Sequence, residues 1–186
     1  MNPIKNKKDL EAKIKEVRSF AYSYLEKYNP SKQQLRIHLF KKFVKKNQRI
    51  GSKKEIFNIL DIVIDSLIGQ KLLSDELYSD SKSKVFLRKG YSINKIRYSL
   101  IKKGIDEKHI KASISKIKEN ESNPDFFSAI KLCKRRRIGP CREENNRSLF
   151  YKKDISILAR SGFSYDISKK VLEIPKSEFL KFCKMI

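Results

Sequence analysis

Asp61 and Asp65 lie four residues apart, the spacing that stacks two carboxylates on one face of a helix. With Asp75 they would offer oxygen ligands to a divalent cation, and so to a metal-dependent nuclease. No histidine, phosphate loop or third acid in register accompanies the pair, which therefore reads as the solvated face of a helix. Cys133, Cys141 and Cys183 are odd in number and lack the close pairing of a zinc site, and His38 and His109 are far apart. Reduced, mostly buried thiols are the expectation, and His109 is read as a packing or surface residue. No Gly-rich phosphate loop or nucleophile elbow appears. No catalytic residue, metal or cofactor is expected.

The chemistry that stands out is cationic. In 186 residues, 44 Lys+Arg face 21 Asp+Glu, a net charge of +23 that points to a polyanion or an acidic protein surface as partner. The densest run is Lys134-Arg135-Arg136-Arg137, followed by Ile138-Gly139-Pro140. At a helix C-terminus four cations suit the macrodipole, and their mutual repulsion is relieved by a phosphate or carboxylate opposite. Basic side chains also crowd the helix opened by Ser31: Lys32, Arg36, Lys41, Lys42, Lys45 and Lys46. Tyr91, Tyr98 and Tyr165 are candidates for stacking on bases, although tyrosines that partly cover a helix core are the preferred reading.

The elements that must position these groups are helical. With only six Gly and five Pro, the profile fits helices joined by short loops. Residues 1–9 are expected to be a frayed basic tail. A helix over about 10–28 has Ile14, Val17, Ala21, Tyr24 and Leu25 on one face. Ser31-x-x-Gln34 and Ser52-x-x-Glu55 read as capping boxes. They open helices with Leu35, Leu39 and Phe43, and with Ile56, Ile59, Leu60, Val63, Ile64 and Leu67, at helical spacing. Residues 45–54, with Gly51, are read as an inserted loop. Ser74 then caps a helix carrying Leu77, Val85 and Phe86 and ending at Gly90, and Ser92 opens one that Gly104 closes. Asp106 caps a third, with Ile110, Ile114 and Ile117 inward. Asn123-Pro124 starts a helix through Phe127, Ile130 and Cys133. A loop over 141–147, a helix from about Leu149 to Ser161 and one capped by Ser164 with Ile167, Val171 and Leu172 follow. Residues 176–186 are expected to form a further short helix.

The chain also resembles itself. Leu35-Arg36-Ile37-His38-Leu39-Phe40-Lys41-Lys42 overlays Ile96-Arg97-Tyr98-Ser99-Leu100-Ile101-Lys102-Lys103, with Ser31 on Ser92. More weakly, Leu158-Ala159-Arg160-Ser161-Gly162-Phe163 overlays the stretch from Leu100 to Ile105. A period of roughly 60 residues suggests a tandem array. Its parts are a basic tail (1–13), a first helical repeat with the Lys-rich insertion (14–73), a second (74–121), a third (122–175) and a C-terminal tail (176–186). The beginning of the chain lacks the apolar core of a secretory signal, and 56–68 is too short and too acidic to span a bilayer. The chain is therefore placed in the cytosol.

Taken in order, Ala21-x-x-Tyr24-Leu25, Ser31-x-x-x-Leu35-Arg36-x-x-Leu39, Leu72-Leu73-Ser74-Asp75, the stretch from Ser92 to Gly104, the Arg-rich Gly-Pro segment and Gly162-Phe163-Ser164 resemble the RecX regulators of bacterial RecA recombinase. The resemblance covers about residues 15–174. It departs at Ser74-Asp75, where the family often has two acids, and at 45–54, and the C-terminal tail has no clear counterpart. The resemblance implies an all-α fold of three tandem three-helix repeats in an elongated, curved arrangement. It implies no catalysis: such proteins bind the groove or the end of the RecA filament on single-stranded DNA and limit recombination and the SOS response. The implied partners are that filament and DNA, single-stranded first and double-stranded second, with a monomeric chain and no membrane. An autonomous basic helical DNA-binding module is the competing reading. Carried over, the second helix of each repeat would face the groove, with Lys32, Arg36, Lys41 and Lys42, then Lys95, Arg97, Lys102 and Lys103, then Lys152, Lys153 and Arg160; on their charge, Arg88, Lys134, Arg135, Arg136, Arg137 and Arg142 are taken as further contact residues.

Overall fold

A computed structural model of the protein describes residues 3–46 and 52–186. Among them are ten α-helices, one 3₁₀ turn and no strand. The chain gathers into two compact units, Met1–Tyr78 with Lys103–Asp106, and Ser79–Lys102 with Glu107–Ile186.

The first unit is built on α1 (Pro3–Leu25), α2 (Lys32–Lys46) and α3 (Lys53–Gly69). Val17 and Ala21, then Leu35, Leu39 and Phe43, then the six apolar residues of α3 from Ile56 to Leu67 form one buried cluster. Each fully buried aliphatic side chain there contributes about 1.5–3 kcal/mol. Both capping boxes form. Ser31 N–H donates to Gln34 Oε1 at 3.2 Å, and Gln34 N–H to Ser31 Oγ at 3.2 Å. At α3, Ser52 N–H donates to Glu55 Oε2 at 3.0 Å, and Glu55 N–H to Ser52 Oγ at 3.3 Å.

The expected tail over 1–9 is instead helical from Pro3. Proline suits a first helical position, lysine propagates a helix well, and Lys13 pairs with Asp9 one turn away at 2.5 Å. Of the expected loop over 45–54, the first two and last two residues are helical, and 47–51 lie outside the described residues.

The second unit contains most of α4 (Asp75–Arg88), α5 (Ile93–Ile101), α6 (Glu107–Asn120), α7 (Pro124–Arg136), the 3₁₀ turn Gly139–Cys141, α8 (Glu144–Arg160), α9 (Tyr165–Leu172) and α10 (Lys176–Met185). Its cluster joins Phe126, Ala129, Ile130, Leu132 and Cys133 to Leu158, Val171, Leu172 and Phe179. The C-terminal segment belongs to this core. Phe179 is buried, and Phe182 meets Phe126 edge to face, ring centroids 5.2 Å apart. The expected 141–147 loop is shorter, since α8 starts at Glu144. Asn123 stands before Pro124 as expected but makes no side-chain capping bond.

The buried face of α4 differs from its apolar pattern. Leu77 is 65% exposed, whereas Tyr78, Ser79 and Ser83 are buried and Val85 and Phe86 half-buried. Ser79 is admitted because its hydroxyl finds partners: Ser113 Oγ lies 2.8 Å from Ser79 Oγ and 2.6 Å from Asp80 Oδ1, and Ser79 Oγ donates to the His109 carbonyl at 3.3 Å. Burial pushes the Asp80 carboxyl upward, but hydrogen bonds from Lys116 and Ser113 and the charges of Lys116 and Lys84 outweigh it and hold the group below the usual range.

One joint recurs in each unit. In the first, Ser31 Oγ donates to the Lys103 carbonyl at 2.7 Å while Asp75 Oδ1 accepts the Lys32 N–H at 2.7 Å. In the second, Ser92 Oγ donates to the Ser161 carbonyl at 2.8 Å while Asp125 Oδ1 accepts the Ile93 N–H at 2.7 Å. Burial raises the Asp125 carboxyl above its ordinary pKa, and the Ile93 bond opposes that shift. Each joint closes on a glycine with positive φ, Gly104 (73°) and Gly162 (85°). A Cβ on Gly104 would sit 1.9 Å from Gln33 Oε1, and one on Gly162 would sit 2.5 Å from Ser92 Oγ.

Gly162→Ala is expected to destabilise the protein by more than about 1 kcal/mol, since it adds strain and a clash. Gly69→Ala, with no atom within 4 Å of its Cβ and no positive φ, is expected to be neutral or mildly stabilising. Urea unfolding midpoints distinguish them, and equal midpoints would contradict the tight joint.

Candidate basic interaction surface

The cations chosen from sequence divide by what they touch. Arg36 on α2 and Arg97 on α5 occupy matching positions in the self-similar segments, and both turn toward the next helix. Arg36 Nη2 is 2.7 Å from Asp61 Oδ2, and its guanidinium lies 4.9 Å from the Phe57 ring centroid. Arg97 Nη2 is 2.9 Å from Glu107 Oε1. Asp61, a metal-ligand candidate by spacing, is thus an ion-pair partner. Asp65 is the same more loosely, 3.6 Å from Lys32 Nζ with both groups largely exposed, so that pair adds little.

Arg142 is the most firmly held. Its Nε and Nη2 each donate to the Asp154 carboxylate at 2.8 Å, and Asp154 also accepts the Gly139 N–H at 2.9 Å. Asp154 is 1% exposed, and the guanidinium sits 4.5 Å from the Phe150 ring centroid. The bond to Asp154 raises the Arg142 pKa above its ordinary value, against burial. The fork ties the turn Gly139–Cys141 to α8, which explains the early start of that helix. Asp154 escaped the sequence reading. Its signal was an acid four residues after Phe150 and four before Leu158, on a face that otherwise packs.

Other cations remain outward. Lys41, Arg88, Lys102, Lys103, Lys134, Arg135, Arg136, Arg137 and Arg160 are exposed, as are Lys152 and Lys153. Lys102 stands over Tyr98, 4.6 Å from the centroid, Lys95 over Tyr91 at 4.7 Å, and Lys42 over Phe20 at 4.4 Å. Arg160 Nε donates to the Ser156 carbonyl of its own helix at 3.2 Å. In the dense run, Arg135 Nη1 donates to the Lys89 carbonyl at 2.5 Å and Lys134 Nζ to the Cys183 carbonyl at 3.3 Å. Arg137 takes the left-handed conformation that ends α7 (φ 54°), so the exposed Arg136 and Arg137 flank the helix terminus.

The tyrosines separate likewise. Tyr91 stacks on Phe86, ring centroids 5.2 Å apart. Tyr98 and Tyr165, expected to cover the core, are 57% and 62% exposed. Among the described residues no group of three or more His, Cys, Asp or Glu is placed to hold a metal ion. The three cysteines are free thiols, and burial first of all raises the pKa of each. No helix among the described residues is long and apolar enough to cross a membrane.

No family model matches the chain. It is 28% identical over 155 residues to a protein named Regulatory protein RecX from Myxococcus xanthus, covering 82% of each chain. A protein of the same name from Agrobacterium fabrum is 26% identical over 161 residues, 87% of this chain and 84% of that one. Another, from Clostridioides difficile, is 31% identical over 117 residues, 62% of this chain and 52% of its own length. Among solved structures, a crystal structure of regulatory protein RecX superposes with a TM-score of 0.64 at 20% identity, covering 89% of this chain and 74% of the other. The crystal structure of RecX from Lactobacillus salivarius superposes with a TM-score of 0.60 at 17% identity, covering 95% and 99%. These structural likenesses establish the shared fold.

Asp154→Ala would strand the Arg142 charge and the Gly139 N–H together, and a loss of about 3–5 kcal/mol is expected. Urea denaturation measures it, and a loss below about 1 kcal/mol would show that the fork is not structural.

Proposed function

The chain belongs to the RecX family, and from that premise we propose that it is a non-catalytic, negative regulator of RecA recombinase. It acts in the cytoplasm as a monomer, on the filament that RecA forms on single-stranded DNA, and limits recombination and the SOS response. The observation that carries the reading is the division of the cations: Arg36 and Arg142 are held by acids and Arg97 lies beside Glu107 at the surface, while Lys41, Lys102, Arg136, Arg137 and Arg160 stand exposed with no acid beside them among the described residues.

A filament repeats the same protein and phosphate surface along its length. Several weak basic contacts linked in one chain raise each other's effective concentration, so an array of modest contacts holds tightly. In this mechanism the exposed cations of α2, α5, α7 and α8 take carboxylates and phosphates of the filament, and the bound chain opposes its extension. The exposed Tyr98 beneath Lys102 favours some direct contact with DNA bases and backbone.

The test is ATP hydrolysis by RecA on single-stranded DNA while this protein is titrated at near-physiological salt. Hydrolysis is expected to fall. A fall well below one copy per RecA assigns the target to filament ends, and a fall only near one copy assigns it to the groove. Unchanged hydrolysis beside tight binding to bare DNA would overturn the reading in favour of an autonomous DNA-binding module. With Arg136→Ala and Arg137→Ala combined, the salt dependence of binding to filaments on single-stranded DNA should weaken by about 1.4 in the log-log slope, some 0.7 per lost phosphate contact. The melting curve should not move, and an unchanged slope would remove these two residues from the contact.

A further inference from the structure

Within the second unit, α4 and α6 enclose a cleft of about 170 Å³. Leu87 and Ile117 supply apolar wall, Asp80, Ser83, Ser113 and Glu121 line it, and Lys84 and Lys116 flank it, Lys116 in an ion pair with Asp80. Ser83 is 1% exposed, yet its Oγ has no hydrogen-bond partner among the described residues, and the same holds for the enclosed Glu121 Oε2. The other polar groups of the seam are bonded, Ser79 and Ser113 to each other and Asp80 to Ser113 and Lys116, so the seam is not under-bonded in general. Two unpaired buried polar atoms cost about 1–3 kcal/mol each. Their occurrence in one cleft fits an occupant that bonds to both.

That occupant needs a hydrogen donor for the Glu121 oxygen, a donor or acceptor for the Ser83 hydroxyl and a flat apolar body between Leu87 and Ile117. A cavity of about 150 Å³ accepts a single six-membered ring, so this cleft suits one ring and not a fused pair. Carboxylates accept from the exocyclic amine of cytosine, and a lysine at the rim, here Lys84, takes phosphate. We propose that the α4–α6 cleft binds an amino-pyrimidine base, supplied either as a free nucleotide or as an unstacked base of single-stranded DNA. The choice of a nucleobase among small ring donors rests on the DNA-filament reading above.

The test is a ¹⁵N-resolved titration of the full chain with cytidine, cytidine monophosphate, adenosine and inorganic phosphate. Saturable shifts confined to α4 and α6 are expected with the two cytidine ligands and not with adenosine or phosphate. Ser83→Val, which fills the cleft, should abolish them. Glu121→Ala, at a half-buried position that tolerates truncation, should weaken them about tenfold or more. No localised shift up to about 10 mM cytidine would mean that the cleft holds only water, and an equal response to phosphate would mean a simple anion site. Either overturns the proposal. An oligo-dC whose affinity falls in Ser83→Val, beside an abasic strand whose affinity does not, assigns the base to a strand. Shifts with free nucleotides alone assign a small ligand, and both results uphold the chemistry. Because no filament is present, failure here leaves the RecA reading standing, and RecA's indifference would leave a bound cytidine standing.

Discussion

The structure depends on a serine hydroxyl that does two things at once. Ser31 and Ser92 each accept a backbone N–H of the helix they open and donate to a carbonyl some 70 positions further along the chain, at Lys103 and Ser161. Both hydroxyls are buried, so water competes little for them, and loss of the hydroxyl would leave a carbonyl and a helix terminus without this partner. An aspartate from a later helix closes the same corner by accepting the first amide of α2 or α5. The N-termini of the two helices with matching basic faces are thereby fixed in position. Where Arg36, Lys41, Arg97 and Lys102 point follows from that.

Charge is the second constraint. At +23 the chain repels itself, and a fold that left every cation free would lose stability to that repulsion. Acids are therefore placed where they do most: Asp61 and Glu107 hold the arginine that faces the following helix, and the buried Asp154 holds Arg142 with two bonds and a turn amide with a third. Carbonyl groups take others, as Lys89 does for Arg135. What remains outward is a sparser set than composition suggests, and that set is available to a partner. The proposed regulator thus has neighbouring basic residues doing different work: Arg97 lies beside Glu107 of α6, whereas Lys102, just past the end of α5, rests on an exposed tyrosine.

Features set by neighbours in sequence were legible. The α3 stripe, both capping boxes and the glycines at 104 and 162 each rest on residues a few positions apart, and all formed as read. Features set by distant partners were not. The buried face of α4 is disguised by Ser79 and Ser83, and the burial of Ser79 is offset only by a hydroxyl and a carbonyl on α6, while Leu77, apolar and well spaced, faces out. The early start of α8 follows from the Arg142 fork to Asp154, and the docking of α10 from aromatic edges on Phe126 and Phe127. For the interaction surface, sequence selected cations by type and spacing. It could not tell Arg36, Arg97 and Arg142, which have acids opposite, from Lys41 and Lys102, which do not.

Division of labour among the cations is tested most directly by one held and one outward residue. Affinity for RecA filaments on single-stranded DNA would be measured for Arg142→Ala and Lys102→Ala beside the thermal midpoint of each protein. Lys102→Ala is expected to weaken binding at an unchanged midpoint, and Arg142→Ala, which strands the buried Asp154 carboxylate, to lower the midpoint with affinity nearly kept. The reverse assignment, or equal effects of both substitutions on both quantities, would contradict it.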